Sequence, residues 1–144
     1  MKIEGIDHIV IAVKDMDRAV EFFSQLFQTS FEDLGIVEEI GGVRSKVCPE
    51  GIELLSPVAP GSALAGFLDK RGDGLYAIAV KVKNAQKAAS DARKRGVRVV
   101  GRIEKKQLGT RVFNLREIIL HPKDAYGVQL LLTESETKEK KNKR

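Results

Sequence analysis

His8 and His121 are the only histidines and Cys48 the only cysteine among 144 residues, so imidazole, thiolate and metal chemistry have few places to sit. His8 heads the apolar run Ile9-Val10-Ile11-Ala12-Val13. An imidazole there works as an acid, a base or a metal ligand, or else it is a core histidine hydrogen-bonded to a carboxylate, because buried polar groups need partners. Glu53, in Ile52-Glu53-Leu54-Leu55, is a carboxylate inside a similar apolar run. His121 lies in Leu120-His121-Pro122-Lys123-Asp124 at the end of a strand-like run, where it either shapes a turn or meets the rim of a cavity. Lys123 beside it either reaches an anionic ligand or is a solvated loop lysine. Cys48 precedes Pro49 with no histidine near it in sequence, which marks a small buried hydrophobe rather than a nucleophile. No Gly-rich phosphate loop, paired-cysteine zinc motif or Gly-x-Ser-x-Gly turn is present, so those classes are set aside.

The segments that must carry these residues repeat at an offset of 69. His8-Ile9-Val10-Ile11-Ala12-Val13-Lys14-Asp15-Met16-Asp17-Arg18-Ala19 lies over Ala77-Ile78-Ala79-Val80-Lys81-Val82-Lys83-Asn84-Ala85-Gln86-Lys87-Ala88. Each copy is a β-branched run, then an Asp or Asn suited to capping, then a segment of helical spacing. In the first helix Met16, Ala19, Val20, Phe23, Leu26 and Phe27 make one apolar stripe to face a sheet. In the second, over residues 85–95, the stripe is Ala85, Ala88, Ala89 and Ala92, small enough for close packing. Strand-like runs follow at 31–40, 43–48 and 52–55, and again at 97–100, 111–120 and 128–132, separated by Gly and Pro turn signals. Alternation puts Val43, Ser45 and Val47 on one face and Arg44, Lys46 and Cys48 on the other; the first set is the more core-like, and which face meets a cavity stays open. Residues 57–74 hold a short helical run, Ala63-Leu64-Ala65-Gly66-Phe67-Leu68, as a connector.

Composition narrows the setting. The chain has 25 Lys and Arg against 20 Asp and Glu, and 42% hydrophobic residues, which fits one globular domain. Of the net +5, residues 134–144 carry five basic and three acidic side chains and read as a charged, solvated tail. The remaining excess is scattered and lacks interleaved aromatics, which argues against nucleic acid as a partner. Apolar runs are far short of the roughly 18 residues that span a bilayer, so no membrane partner is expected. The lone cysteine and the absence of a secretory leader make the cytoplasm the expected location.

Four stretches resemble the vicinal oxygen chelate superfamily of glyoxalases, dioxygenases and antibiotic resistance proteins, and within it the methylmalonyl-CoA epimerases. They are Asp7-His8-Ile9-Val10-Ile11-Ala12-Val13, Ile52-Glu53-Leu54-Leu55-Ser56-Pro57, the segment 62–77 around Phe67-Leu68-Asp69-Lys70-Arg71-Gly72-Asp73-Gly74, and Leu120-His121-Pro122-Lys123-Asp124. The resemblance implies an α+β fold in which two βαβββ modules form a curved mixed sheet around a cavity. The single domain would cover residues 1–133, with halves at about 1–58 and 73–133 and the connector at 59–72. It also implies a homodimer, and proton abstraction next to the carbonyl of a small acyl-CoA or 2-oxo acid by an isomerase or lyase.

The divalent metal of that family is held by four side chains, on the first, fourth, fifth and last strands. His8 matches the first position and Glu53 the second. Ala77, in Gly74-Leu75-Tyr76-Ala77-Ile78, and Leu131, in Gly127-Val128-Gln129-Leu130-Leu131-Leu132, stand at the other two and offer no lone pair. The repeat agrees, since His8 falls on Ala77. Two ligands are one fewer than catalytic zinc sites usually keep. Gln129 shares a strand face with Leu131, but its backbone is about 6–7 Å away at roughly 3.3 Å per residue. Tyr76 would need a one-residue shift that flips the strand's faces. The resemblance thus leaves Glu53 and His8 as the catalytic pair, with an incomplete metal site. Gln129, Leu131, Ala77, Tyr76, His121 and Lys123 would contact the ligand, Lys123 at a carboxylate or a CoA phosphate. A His8–Glu53 pair would raise the pKa of the imidazole and lower that of the carboxylate. The alternative reading is a metal-free protein that binds or sequesters a small molecule, because Ala77 and Leu131 turn ligand positions into apolar wall.

Overall fold

The computed structural model describes residues 1–138. Along the chain run β1 (Ile3–Ala12), α1 (Met16–Phe27), β2 (Glu32–Val37), β3 (Val43–Val47), β4 (Ile52–Pro57), α2 (Ala63–Arg71), β5 (Gly74–Val82), α3 (Ala85–Lys94), β6 (Val99–Leu108), β7 (Val112–Leu120) and β8 (Gln129–Thr137). The class is α+β, and strand, helix, three strands occurs twice, with α2 between. The chain divides into two compact units, Ile6–Ala79, and the residues from Val80 onward together with Met1–Gly5. This division falls inside β5, and the N-terminal five residues join the second unit, where the Met1 ammonium meets Asp91 at 3.2 Å. No α-helix among the described residues is long and apolar enough to cross a membrane.

In the first unit the hydrogen-bonded order is β2-β3-β4-β1, with β1 parallel to β4 and the other pairs antiparallel. Asp15 caps α1 by accepting the Arg18 N–H at 3.1 Å, and Gln28 ends it in the left-handed region at φ 51°. Met16 packs with Val13 and Leu54, and Ile11, Ala19, Val20, Phe23, Phe31 and Ile52 close around them. This core fixes the faces: Ile11, Val13, Ile52 and Leu54 point toward α1, so His8, Val10 and Glu53 point away from it. The apolar stripe of α1 is only partly covered. Leu26 and Phe27 at its end are 58% and 53% exposed, because the helix's last turn extends past this core. The run expected as strand at 31–40 stops at Val37 and turns into a 3-10 segment, Glu38–Ile40, ended by Gly41 at φ 90°.

In the second unit the order is β8-β7-β6, antiparallel throughout. Asn84, 69 residues after Asp15, caps α3 through the Lys87 N–H at 2.9 Å, and Ala85, Ala88, Ala89 and Ala92 are all buried. β6 is longer than residues 97–100: it runs to Leu108 through Lys105, Lys106 and Gln107, charged and polar positions that a strand at the end of the ladder order tolerates. Gly101 lies opposite Ile119, and a Cβ there would stand 3.0 Å from Ile119 Cδ1, so a larger residue would make the end of that side chain shift. β8 continues to Thr137, which corrects the expected tail at its start. Glu134 accepts the Ala85 N–H at 2.9 Å, at the positive end of α3, and Asn114 donates to Glu136 at 3.2 Å, so these carboxylates serve the fold. Of that tail, residues 139–144 lie outside the described residues.

Candidate functional site

Strand pairing delivers the site of the first unit. Val10 stands beside Glu53 in the parallel β1–β4 ladder, and His8, two residues earlier, shares that face. Gly51 sits beneath it at φ 101°, its carbonyl accepting the Ile9 N–H at 2.9 Å, and a Cβ on Gly51 would come within 3.2 Å of the Asp7 carbonyl. A larger residue would push β1 away from β4.

The result is a chain of four side chains. Asp7 Oδ2 lies 2.7 Å from His8 Nδ1, His8 Nε2 lies 3.3 Å from Glu53 Oε1, and the Ser45 hydroxyl donates to Glu53 Oε2 at 2.5 Å. His8 and Glu53 side chains are each 15% exposed, and Ser45 is fully buried. Burial alone would raise the Glu53 pKa. The hydrogen bond and charge of His8, with the Ser45 hydroxyl, outweigh it and hold the carboxyl below its usual 4.5. Glu53 is thus an anion with both oxygens engaged. Ser45 faces Leu55 across β3–β4, which settles the question left by alternation: Val43, Ser45 and Val47 share the face of Glu53.

The other residues singled out from sequence are placed as follows. Ala77, on β5 of the first unit, is 2% exposed. Tyr76, on the opposite strand face, packs edge-on against Phe67 of α2, with ring centroids 5.1 Å apart. In the second unit, Leu131 is buried opposite Ile119, and Gln129 opens β8 half-buried. His121 takes the turn role: its Nδ1 accepts the Lys123 N–H at 3.1 Å at the start of the 3-10 segment Pro122–Asp124. Lys123 itself is exposed. Asp124 holds Arg98 through two side-chain bonds of 2.9 and 3.1 Å, and with the Arg98 backbone N–H these bring its pKa down to about 2. Cys48 is buried and in no disulfide, as a small hydrophobe would be.

Structure therefore brings His8 and Glu53 together and adds Asp7 and Ser45, which sequence reasoning missed. Their signals were present: Asp7 adjoins His8, and Ser45 is the one hydroxyl on the core-like face of its strand. Among the described residues, no group of three or more His, Cys, Asp and Glu side chains converges in a metal-holding arrangement.

Residues 7–113 match the sequence profile of the Glyoxalase/Bleomycin resistance protein/Dioxygenase superfamily. The chain is 30% identical over 128 residues to the ethylmalonyl-CoA/methylmalonyl-CoA epimerase of Cereibacter sphaeroides, across 85% of this chain and 91% of that protein. A variant of Streptomyces coelicolor methylmalonyl-CoA epimerase, solved in complex with 2-nitronate-propionyl-CoA, matches with a TM-score of 0.82 and 30% identity, covering 96% of this chain and 100% of that one. A methylmalonyl-CoA epimerase in complex with methylmalonyl-CoA and ammonium matches with a TM-score of 0.76 and 34% identity, covering 93% and 96%.

Proposed function

The chain belongs to the glyoxalase/bleomycin resistance protein/dioxygenase superfamily, and from that premise we propose that it acts as an epimerase-type isomerase on a small acyl-CoA or 2-oxo acid, with the His8–Glu53 pair in place of a four-ligand metal. The observation that carries this reading is the Asp7–His8–Glu53–Ser45 chain on the face of the first unit turned away from α1. The acyl-CoA ligands of the similar solved structures support the substrate class.

The donor set does not fit the family's metal. Ala77 and Leu131 carry no lone pair, His8 Nδ1 is turned to Asp7, and the two oxygens of Glu53 face His8 and Ser45. The site is in this sense degenerate, and the chemistry is assigned to the side chains themselves. Glu53 takes the proton from the carbon next to the carbonyl while the C–H electron pair moves to the carbonyl oxygen. His8, a ring with a carboxylate on each nitrogen, presents N–H to that oxygen once the ligand displaces one of them. Return of a proton to the same carbon completes the cycle. Gln129, Leu131, Ala77, Tyr76, His121 and Lys123 contact the ligand in this reading, and a second copy of the chain is its partner in a homodimer.

One observation favours the metal-free binding alternative. A carboxylate held below its usual pKa is a weaker base, and loss of a metal Lewis acid removes on the order of several kcal/mol of enolate stabilisation. The two readings share a ligand class and part at turnover. Methylmalonyl-CoA incubated with protein and chelator in heavy water, followed by mass spectrometry, separates them. Deuterium entering next to the carbonyl, and lost in Glu53→Gln, supports the isomerase. Tight binding without exchange gives the sequestering protein.

A further inference from the structure

The His8 ring stands between two carboxylates, and its two contacts differ. Nδ1 lies 2.7 Å from Asp7 Oδ2, at the short end for an N–H···O bond and typical of one between charged partners. Nε2 lies 3.3 Å from Glu53 Oε1, just beyond the usual hydrogen-bond range. Glu53 has a second anchor, the Ser45 hydroxyl on Oε2 at 2.5 Å, which remains when Oε1 parts from the ring. Chain connectivity points the same way. Asp7 and His8 are neighbours on β1, and the β1–β4 ladder begins only after them, with Ile9 opposite Ile52 and the Ile9 N–H on the Gly51 carbonyl at 2.9 Å. Their contact is therefore local to one stretch of chain, whereas Glu53 reaches the ring from another strand. All four side chains belong to the first unit.

Resting on the isomerase reading above, we propose that Asp7 is the positioning residue of this site: it keeps the Nδ1–H of His8 engaged, so that Nε2–H is the donor turned to the ligand's carbonyl oxygen and Glu53 is the carboxylate that the ligand displaces. A ring free to turn about its Cβ–Cγ bond would offer either nitrogen, and a donor helps developing charge only when it is already aimed at it. A carboxylate on Nδ1 fixes both the plane of the ring and the nitrogen that faces the ligand, as an acidic neighbour does for histidines in other sites. Asp7 itself touches no reacting atom. The same parting frees Glu53 Oε1, so the oxygen that leaves His8 is the one that takes the proton next to the carbonyl, while Ser45 holds the other.

With two histidines in the chain, the ring nitrogens can be followed one by one in long-range proton–nitrogen spectra, and His8→Ala identifies the set that belongs to His8. In the unaltered protein Nδ1 is expected to carry a proton before and after propionyl-CoA is added, with the larger ligand-induced shift at Nε2. Asp7→Ala, with a melting curve like the parent's, is expected to lose that preference. It is also expected to lower kcat for deuterium entry into methylmalonyl-CoA on the order of 10- to 100-fold with KM little changed. A purely structural role would neither move the ring spectrum nor separate kcat from KM. Should Asp7→Ala fail to fold, the ring spectra of the unaltered protein decide alone. An unprotonated Nδ1, or a larger ligand-induced shift at Nδ1 than at Nε2, overturns the assignment and leaves the isomerase reading intact. So does a parent kcat in Asp7→Ala, with or without a rise in KM. Absence of deuterium entry in the unaltered protein overturns the isomerase reading, and the donor role of Nε2–H with it.

Discussion

Each unit ties two neighbouring antiparallel strands together with one carboxylate and one hydroxyl, and the two ties are built opposite ways round. In the first, the hydroxyl is on β3 as Ser45 and the carboxylate on β4 as Glu53; in the second, the carboxylate is on β7 as Glu117 and the hydroxyl on β8 as Thr133. Both lie on the face turned from the unit's own N-capped helix. In the first the His8 imidazole lies beside the carboxylate, and the offset of 69 pairs His8 with Ala77, which has no imidazole to offer. The duplication has kept caps, strand order and faces, all of which depend on backbone and on apolar spacing. It has not kept the polar residues. Chemistry in one unit therefore cannot be read from the other, although the frame can.

The comparison can be broken most forcefully at Glu53. Glu53→Leu leaves His8 and Ser45 facing an apolar side chain and is expected to cost about 3 kcal/mol in urea unfolding, the usual penalty for breaking a buried pair. The same site has a pH signature. Because the folded Glu53 titrates below its ordinary 4.5, its contribution to stability is complete above that pH and fades as the pH falls through the lower folded value. Glu53→Gln should flatten that part of the stability curve. Asp124, half-buried and held at about 2 against an ordinary 3.8, adds a further loss between those values that salt weakens.

The helices come next. Ala89 of α3 is fully buried, so Ala89→Leu is expected to destabilise by about 2 kcal/mol through overpacking. Removing one hydroxyl from each tie should be milder: Ser45→Ala and Thr133→Val are each expected to cost about 1–2 kcal/mol, as for a buried carboxylate that loses a donor. A clear inequality would show which unit relies more on its tie. The smallest effect belongs to the uncovered end of α1, where Leu26→Gln should change stability by less than about 0.5 kcal/mol. A larger loss there would mean that another surface covers that turn.

Much of this frame was legible in sequence. The offset of 69 paired Asp15 with Asn84, and both prove to be N-caps; the alanine stripe of α3 is buried as spacing required. Local chemistry of this kind is short-range, so the sequence carries it directly. Where reading failed, the deciding contact was distant in sequence. Residues 134–137 look like a solvated tail until Ala85 and Asn114 supply partners for Glu134 and Glu136. Leu26 and Phe27 continue a perfect stripe, but the core they were to cover ends one turn sooner. At the site, His8 and Glu53 were legible through the resemblance. Ser45 was visible only as one hydroxyl among valines, because register alone reveals which residues share the face of Glu53.

The most direct test of the central claim is calorimetric titration of propionyl-CoA into protein dialysed against chelator. The account predicts one saturable site, unchanged by added zinc or cobalt and weakened about tenfold, roughly 1.4 kcal/mol, in His8→Ala. Binding that appears only when metal is restored would contradict it.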